Sequence, residues 1–301
     1  MPVLVLFLIA LTVGLVVGVL AWRYPRIVKP TSTPALDTAK KVGETVRRHP
    51  RLRALLKARL DPTVATGLAL TLALVLVIGG GVLFGALAYL VRTNAHLAGI
   101  DKSVAKWGSR HASPTSTHLL DDVTQLGSIY VIVFLCVVLA VAETIREKTV
   151  WVVPFILAVM GGEEILTLTV KQLVDRLRPT FNPAAATLGP SFPSGHSATS
   201  AAFYATLALL LGRGRARPVR AVLAGLAAGI AVGVAASRVL LDVHWLTDVI
   251  AGLSLGWAWF ALCSIAFGGR ILRFGSAAET AARVAKATPG RRGSVAARSR
   301  V

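Results

Sequence analysis

The sequence predicts an all-α membrane protein, a polytopic bundle of six transmembrane helices preceded by one extra N-terminal transmembrane helix. Its 301 residues are 54% hydrophobic and have a mean hydropathy of +0.67, which is too apolar for an ordinary soluble domain. Long uncharged runs recur at the length of a membrane-spanning helix. Short stretches rich in charged residues, glycine and proline separate these runs.

The apolar runs also predict the domain organisation. Residues 2–22 are expected to form the N-terminal transmembrane helix rather than a cleaved signal peptide, because the run lacks a basic start and a small-residue cleavage site. Residues 23–62 then form a basic cytoplasmic loop, residues 63–268 the six-helix core, and residues 269–301 a basic cytoplasmic tail. The predicted core spans are residues 63–91, 128–142, 150–174, 197–211, 221–236 and 246–268. The amphipathic stretch at 92–127 predicts a pair of short interfacial helices.

The distribution of positive charge predicts the orientation in the membrane. The net charge of +19 would suggest a nucleic-acid partner in a soluble protein, but here the basic residues lie mainly in loops between spans. The loops after the first, third and fifth spans and the tail carry 11, 2, 4 and 8 lysines and arginines, which is 25 of the 33. Basic loops favour the cytoplasmic side, so we expect an external N-terminus, a cytoplasmic C-terminus and no nucleic-acid partner.

Three motifs with charged or histidine side chains lie near the ends of the predicted spans that follow residue 150. They are K-x6-RP from Lys171 to Arg178-Pro179, PSGH at residues 193–196, and SR-x5-H-x3-D from Ser237 to Asp248. Ionised groups at such positions are costly unless they face a site or a partner. The alternation of spans brings all three motifs to the non-cytoplasmic face. The two cysteines, Cys136 and Cys263, lie inside apolar runs and are expected to pack in the core.

The residue types in these motifs suit phosphoryl transfer. Three cationic side chains can cradle one multiply charged anion such as phosphate, namely Lys171, Arg178 and Arg238. Ser194 and Gly195 open the next apolar helix, where backbone N–H groups and the helix dipole favour a phosphate.

His244 and Asp248 are four residues apart and share a helix face, so the carboxylate can orient the imidazole as a nucleophile. His196 is then available to protonate the leaving oxygen. The apparatus is complete without a metal or another cofactor.

These motifs, in this order and spacing, resemble those of the type 2 phosphatidic acid phosphatase superfamily, lipid phosphate phosphatases related to vanadium haloperoxidases. The resemblance covers roughly residues 60–268, with weaker support from the segment at 124–127. It implies that Lys171, Arg178, Arg238, Ser194 and Gly195 bind phosphate. It also implies that His244 forms a phosphohistidine, that Asp248 orients it, and that His196 is the general acid.

Two positions depart from the pattern of that superfamily. Asp242 stands where members commonly have glycine, and Leu246 stands where many have proline. A carboxylate two residues before the nucleophile could repel substrate or pair with Arg238. The preference for one lipid phosphate over another is therefore left open.

The predicted function is hydrolysis of a lipid phosphate or pyrophosphate at the non-cytoplasmic face, with membrane lipids as surroundings and no cofactor. Phosphatidate, phosphatidylglycerophosphate and a polyprenyl pyrophosphate such as undecaprenyl pyrophosphate all present a similar head to these residues. Two alternatives stay open. One is phosphotransfer from the same phosphohistidine, and the other is a non-catalytic protein that transports or binds lipid phosphates. A haloperoxidase activity is disfavoured because the predicted site lies among membrane spans.

Two carboxyl groups in the predicted span at 150–174 have no assigned role. Glu163 and Glu164 lie inside a predicted span, and Glu164, Thr167 and Lys171 share a face at helical spacing. They either support the phosphate site or satisfy a neighbouring helix, and the sequence favours neither interpretation.

Overall fold

The fold is an all-α membrane bundle, as predicted. The computed structural model describes residues 1–27, 65–147 and 151–271. The basic loop expected at 23–62 and the tail expected at 269–301 lie almost entirely outside these ranges. The α-helices are α1 Pro2–Ile27, α2 Ala65–Thr93, α3 Ala95–His111, α4 Pro114–Gln125, α5 Ile129–Glu147, α6 Val152–Val174, α7 Gly195–Gly212, α8 Arg217–Leu240 and α9 Leu246–Ile271. A 3₁₀ turn at Pro183–Leu188 interrupts the connection between α6 and α7.

Six segments of the described chain are long and apolar enough to cross a membrane. They are Pro2–Arg23, Ala73–Thr93, Pro114–Arg146, Val152–Val174, Arg217–Leu240 and Leu246–Phe267. Helix α7, which corresponds to the predicted span at 197–211, is not among them. Its first turns carry polar side chains, and 11 of its 18 residues are buried. These polar groups are therefore surrounded by protein rather than by lipid, which reduces the cost of placing them at membrane depth.

Helix α7 forms the centre of the bundle and packs against α6, α8 and α9. The main apolar cluster, which joins α5, α6, α7 and α9, includes Phe155, Val159, Phe203, Leu210 and Cys263. Helix α9 approaches α7 very closely, since a β-carbon at Gly252 would lie only 2.5 Å from Ser194 O. This close approach brings the start of α9 against the start of α7.

Helix α1 packs along α8 in the antiparallel sense. A β-carbon on Gly225 would lie 2.6 Å from Gly14 O, so the two backbones touch through glycine as in close transmembrane helix pairs. Leu6, near the start of α1, packs with Leu240 at the end of α8. The N-terminus of the chain therefore lies at the same end of the bundle as the third motif.

The stretch at 92–127 forms the two short helices α3 and α4. The Asn94 side chain caps α3 by accepting hydrogen bonds from two backbone N–H groups, and Ser113 forms a capping box at the start of α4. Leu120 of α4 packs with Leu6 and Leu240, and Trp107 of α3 lies against the same cluster. The two helices thus cover the end of the bundle where the three motifs meet.

Candidate active site

The first motif lies at the end of α6 and in the loop that follows. Asp175 ends the helix in the left-handed conformation, with φ 44°, and turns the chain across the bundle. Lys171 Nζ donates to Pro190 O at 2.8 Å, and Arg178 Nη2 donates to the same oxygen at 3.3 Å. Arg178 Nε also donates to Gly189 O at 2.8 Å. Carbonyl groups of one proline-containing loop thus hold both cations of the motif side by side.

Arg178 also reaches the third motif. Its Nη1 donates to Val243 O at 2.7 Å and lies 3.2 Å from His244 Nε2. A guanidinium has no acceptor, so Nε2 must accept this hydrogen bond and the ring proton must lie on Nδ1. His244 therefore presents the lone pair of Nε2 to the cationic side of the site.

The other nitrogen of His244 faces a buried carboxylate. His244 Nδ1 lies 3.5 Å from Asp248 Oδ2, at the outer limit of hydrogen-bond distance, and the two side chains are 3% and 0% exposed. Asp248 Oδ2 also accepts from the backbone N–H of Trp245 at 3.0 Å. The pKa of His244 is lowered to about 4, mainly because the ring is buried; Asp248 acts in the opposite direction, and Arg178 and Arg238 add to the lowering. The ring is thus neutral at physiological pH, as a nucleophile must be.

Asp248 also has a cationic partner that the motifs did not indicate. Arg176 Nη1 donates to Asp248 Oδ1 at 2.5 Å and to Thr247 Oγ1 at 2.7 Å. Its Nη2 donates to Asp101 Oδ2 of α3 at 2.7 Å. Arg176 is one of the six unspecified residues of K-x6-RP, and Asp101 lies far away in the chain, so the motifs indicate neither residue.

The second motif begins α7 beside Asp248. The Ser194 N–H donates to Asp248 O at 3.1 Å, which joins the second motif to the third through the main chain. Ser194 is buried, and its side chain accepts from Ser197 Oγ at 2.9 Å instead of capping the helix. His196, in the first turn, lies within electrostatic range of His244 and of the three motif cations. The N-terminus of α7 thus lies near the three cations and faces the region where a phosphate would bind.

Arg238 completes the cationic side of the site from α8. Its Nη1 donates to Thr124 Oγ1 at 3.2 Å, and its Nε is buried without a hydrogen-bond partner among the described residues. Thr124 belongs to the 124–127 segment, in which a β-carbon on Gly127 would lie 2.5 Å from Ser200 Oγ. The turn between α4 and α5 thus packs tightly beneath the site.

The carboxyl groups left open by the sequence have different surroundings. Glu163, not Glu164, is fully buried, and it accepts from Thr167 Oγ1 at 2.7 Å and Thr199 Oγ1 at 3.0 Å. It therefore links α6 to α7, while Glu164 is partly exposed.

Asp242 is 6% exposed and adopts φ 55°, the left-handed region in which glycine is favoured. Its Oδ1 lies near Gly108 of α3 and has no partner among the described residues, so Arg238 does not pair with it. The second departure, Leu246, is the first residue of α9 and packs with Val239 and Val249.

The predicted site residues converge at one end of the bundle, as the alternation of spans requires. Three cations, one helix N-terminus and two imidazoles surround a common region, with the carboxylate of Asp248 behind one ring. Such an arrangement can bind a phosphate, attack it with a nitrogen lone pair and protonate a leaving oxygen.

Comparison with known proteins identifies relatives of this chain. The sequence model of the PAP2 superfamily matches residues 150–271. Phosphatidylglycerophosphatase B of Bacillus subtilis is 32% identical over 193 residues, which cover 62% of this chain and 92% of that protein. Lipid A 1-phosphatase of Rhizobium etli is 34% identical over 122 residues, which cover 37% of this chain and 48% of that protein.

A solved structure has the same fold. The crystal structure of a transmembrane PAP2 type phosphatidylglycerolphosphate phosphatase from Bacillus subtilis superposes with a TM-score of 0.60 at 30% identity, covering 66% of this chain and 99% of the other. Its near-complete coverage agrees with the match to phosphatidylglycerophosphatase B along almost the whole of that relative. With six membrane-crossing segments and these matches, the chain is an integral membrane protein that belongs to the PAP2 superfamily of lipid phosphatases.

Proposed function

We propose that this protein hydrolyses the phosphate or pyrophosphate group of a membrane lipid through a phosphohistidine on His244. The observation that carries the proposal is the pair of contacts on that ring. Asp248 faces Nδ1 at 3.5 Å while Arg178 donates to Nε2 at 3.2 Å. The lone pair of Nε2 thus points to the group that binds the phosphate. When substrate enters, its oxygens replace the carbonyl and imidazole acceptors of Arg178 and free Nε2 for attack.

The proposed reaction has two steps. In the first, His244 Nε2 attacks phosphorus, the P–N bond forms and the bond to the lipid oxygen breaks. His196 gives its proton to that oxygen. In the second step, His196 accepts a proton from water, the resulting hydroxide attacks phosphorus, and the P–N bond breaks to release inorganic phosphate. Lys171, Arg178, Arg238 and the N-terminus of α7 stabilise the negative charge on the phosphoryl oxygens in both steps.

The relatives narrow the first substrate to test. The relative covered over 92% of its length is a phosphatidylglycerophosphatase by name, and the one matched over 48% is a lipid A phosphatase. Both names describe a phosphate attached to a lipid. Phosphatidylglycerophosphate is therefore the leading substrate, with phosphatidate and polyprenyl pyrophosphate as the other members of a first panel.

The site is proposed to open on the non-cytoplasmic side. The loops after the first, third and fifth predicted spans, together with the tail, contain 25 of the 33 lysines and arginines, and basic segments favour the cytoplasm. The lipid would then enter from the outer leaflet, with its tail in hydrocarbon and its head among the cations.

The test is phosphate release by the purified protein from each lipid of the panel, in detergent with EDTA. Three cations already neutralise the phosphate, so activity should persist in EDTA and orthovanadate should inhibit by resembling the transferring phosphoryl group. His244→Ala should abolish turnover and also the incorporation of ³²P from a labelled substrate into an acid-labile, base-stable form, because the P–N bond of a phosphohistidine breaks in acid and survives base. A wild-type protein that binds these lipids without releasing phosphate would contradict the proposal. Consumption of lipid without equivalent free phosphate would indicate phosphotransfer.

A further inference from the structure

We propose that Arg176 and Asp101 form a positioning pair that holds the Asp248 carboxylate against His244. This inference rests on the proposed function of the site. Arg176 belongs to the loop after α6, Asp101 to α3 and Asp248 to α9, so the pair joins three elements that come together only in the fold. None of the three phosphate-site cations makes this contact.

The contacts of Arg176 differ in kind from those of the other basic residues of the site. Lys171 and Arg178 donate mainly to backbone carbonyls, whose hydrogen bonds a phosphate can replace. Arg176 instead donates to carboxylates on two sides, with ion-pair distances of 2.5 Å to Asp248 Oδ1 and 2.7 Å to Asp101 Oδ2. Its side chain is 14% exposed and lies 5.5 Å from the centre of the Trp245 ring. It is thus committed to protein partners.

Asp101 fixes the other end of the pair. It is 1% exposed, and its Oδ1 accepts from the Thr247 N–H at 3.0 Å while its Oδ2 accepts from Thr247 Oγ1 at 2.7 Å. Asp101 therefore binds the first turn of α9 next to Asp248, as well as Arg176. A carboxylate at that place also suits the positive end of the helix dipole.

The consequence concerns the rotation of Asp248. Its Oδ1 is held by Arg176 and its Oδ2 by the Trp245 N–H, so both oxygens are fixed and Oδ2 faces His244 Nδ1. Without Arg176, Oδ1 would lose its partner inside the protein, and the carboxylate would be free to rotate or take up a proton. Asp101 balances the charge of Arg176, which lets the guanidinium stay buried.

The test compares Arg176→Gln and Asp101→Asn with wild type in a proton spectrum of histidine-labelled protein in micelles. The Nδ1 proton of His244, assigned by its loss in His244→Gln, should resonate far downfield because it faces a carboxylate. Arg176→Gln should move this resonance upfield or abolish it, and Asp101→Asn should shift it in the same direction by less. Arg92→Gln is the matched control, because the hydrogen bond of the Arg92 side chain within the described part of the chain goes to a backbone carbonyl at the same end of the bundle, Leu173 O at 3.5 Å.

Turnover gives the second measurement, with dioctanoyl phosphatidylglycerophosphate and dioctanoyl phosphatidate as probes. Arg176→Gln should lower kcat about 100-fold, as expected for a displaced catalytic group, and should change KM by no more than about twofold. An unchanged Nδ1 resonance in both variants would overturn the inference, as would a loss expressed in KM alone. Should the wild-type protein be inactive on both lipids, the proposed function fails, while the resonance still decides whether Arg176 and Asp101 position Asp248. If Arg176→Gln does not fold, Asp101→Asn provides the same readout.

Discussion

Arg178 Nη1 lies 3.2 Å from His244 Nε2, so the group proposed to bind phosphate also contacts the proposed nucleophile. Burial of the ring lowers the pKa of His244 from 6.5 to about 4, with Asp248 acting in the opposite direction and the positive charges of Arg178 and Arg238 adding to the lowering. The same contact places the ring proton on Nδ1, toward Asp248. The contact between Arg178 and His244 thus favours the neutral ring, fixes its tautomer and determines which ring nitrogen faces the phosphate site.

The first prediction is a pH profile. A lowered pKa means that the neutral, nucleophilic ring persists as pH falls, so the acid limb of kcat/KM due to His244 should lie near pH 4 rather than 6.5. Arg178→Gln removes a cation that lowers this pKa, and the limb should move to higher pH. The measurement is kcat/KM against pH from 4 to 8, corrected for the separately measured ionisation of the substrate phosphate. A wild-type limb at or above 6.5 would contradict the assignment.

The second prediction separates the two histidines by leaving group. His196→Ala should lower kcat about 100-fold or more on dioctanoyl phosphatidate, whose alkoxide leaving group needs a proton, and only about tenfold or less on p-nitrophenyl phosphate. His244→Ala should be inactive on both, because it lacks the nucleophile. Equal impairment of His196→Ala on the two substrates would show that His196 is not the general acid.

The third prediction concerns Asp242, whose carboxyl is buried and whose pKa burial raises from 3.8 to about 6. The folded protein thus holds a proton there that the unfolded chain has already lost, so stability falls as pH rises from about 4 to about 6 and stays low above. Asp242→Asn should therefore raise the free energy of unfolding at pH 7.5 by about 1–3 kcal/mol, which would appear as a higher apparent Tm. At pH 4 the substitution should change the apparent Tm little.

Two further substitutions at this position separate charge from backbone strain. Asp242→Gly should stabilise the protein at pH 7.5 as well, because glycine readily adopts the φ of 55° found there. Asp242→Ala also removes the charge, but alanine lacks the short polar side chain that lets asparagine tolerate the left-handed region, so this variant should be less stable than Asp242→Asn. A Tm for Asp242→Asn below that of wild type at pH 7.5 would indicate a stabilising partner for the carboxylate.

The fourth prediction tests the packing of α1 on α8. Gly225→Val would place side-chain atoms where Gly14 O already lies 2.6 Å from the β-carbon position, so the helices must separate, at a cost of about 1–3 kcal/mol. Gly81→Val is the matched control, because a β-carbon on Gly81 meets nothing within 4 Å. The apparent Tm in detergent should fall for Gly225→Val and stay near wild type for Gly81→Val. Equal losses would attribute the effect to valine in a helix rather than to the interface.

The fifth prediction concerns sidedness and rests on charge. In a Cys136→Ala, Cys263→Ala background, a cysteine replacing exposed Thr180 in the loop after the first motif should react with an impermeant thiol reagent on intact cells. A cysteine replacing exposed Ala216, between α7 and α8, should react only after permeabilisation. Labelling in the opposite pattern would place the site on the cytoplasmic side of the membrane, and the substrate would then come from the inner leaflet.

The sequence by itself determined where the long helices lie and the end of the bundle at which the motif residues meet. The spans predicted at 150–174 and 246–268 appear as Val152–Val174 and Leu246–Ile271, because a long apolar run can satisfy its backbone in lipid only as a helix. The alternation of the predicted spans by itself brings Lys171, His196 and His244 to one end of the bundle. Residue type and spacing alone were enough to predict that these three motif residues lie together.

Only the tertiary structure decided which side chains meet across the bundle. Glu163 and Glu164 are about 100° apart on one helix, and the sequence does not say which of them faces α7. The structure turns Glu163 toward Thr199 and leaves Glu164 partly exposed. The 2.7 Å contact of Arg176 with Asp101 joins residues 75 positions apart, and such a contact depends on how helices rotate and pack rather than on local periodicity.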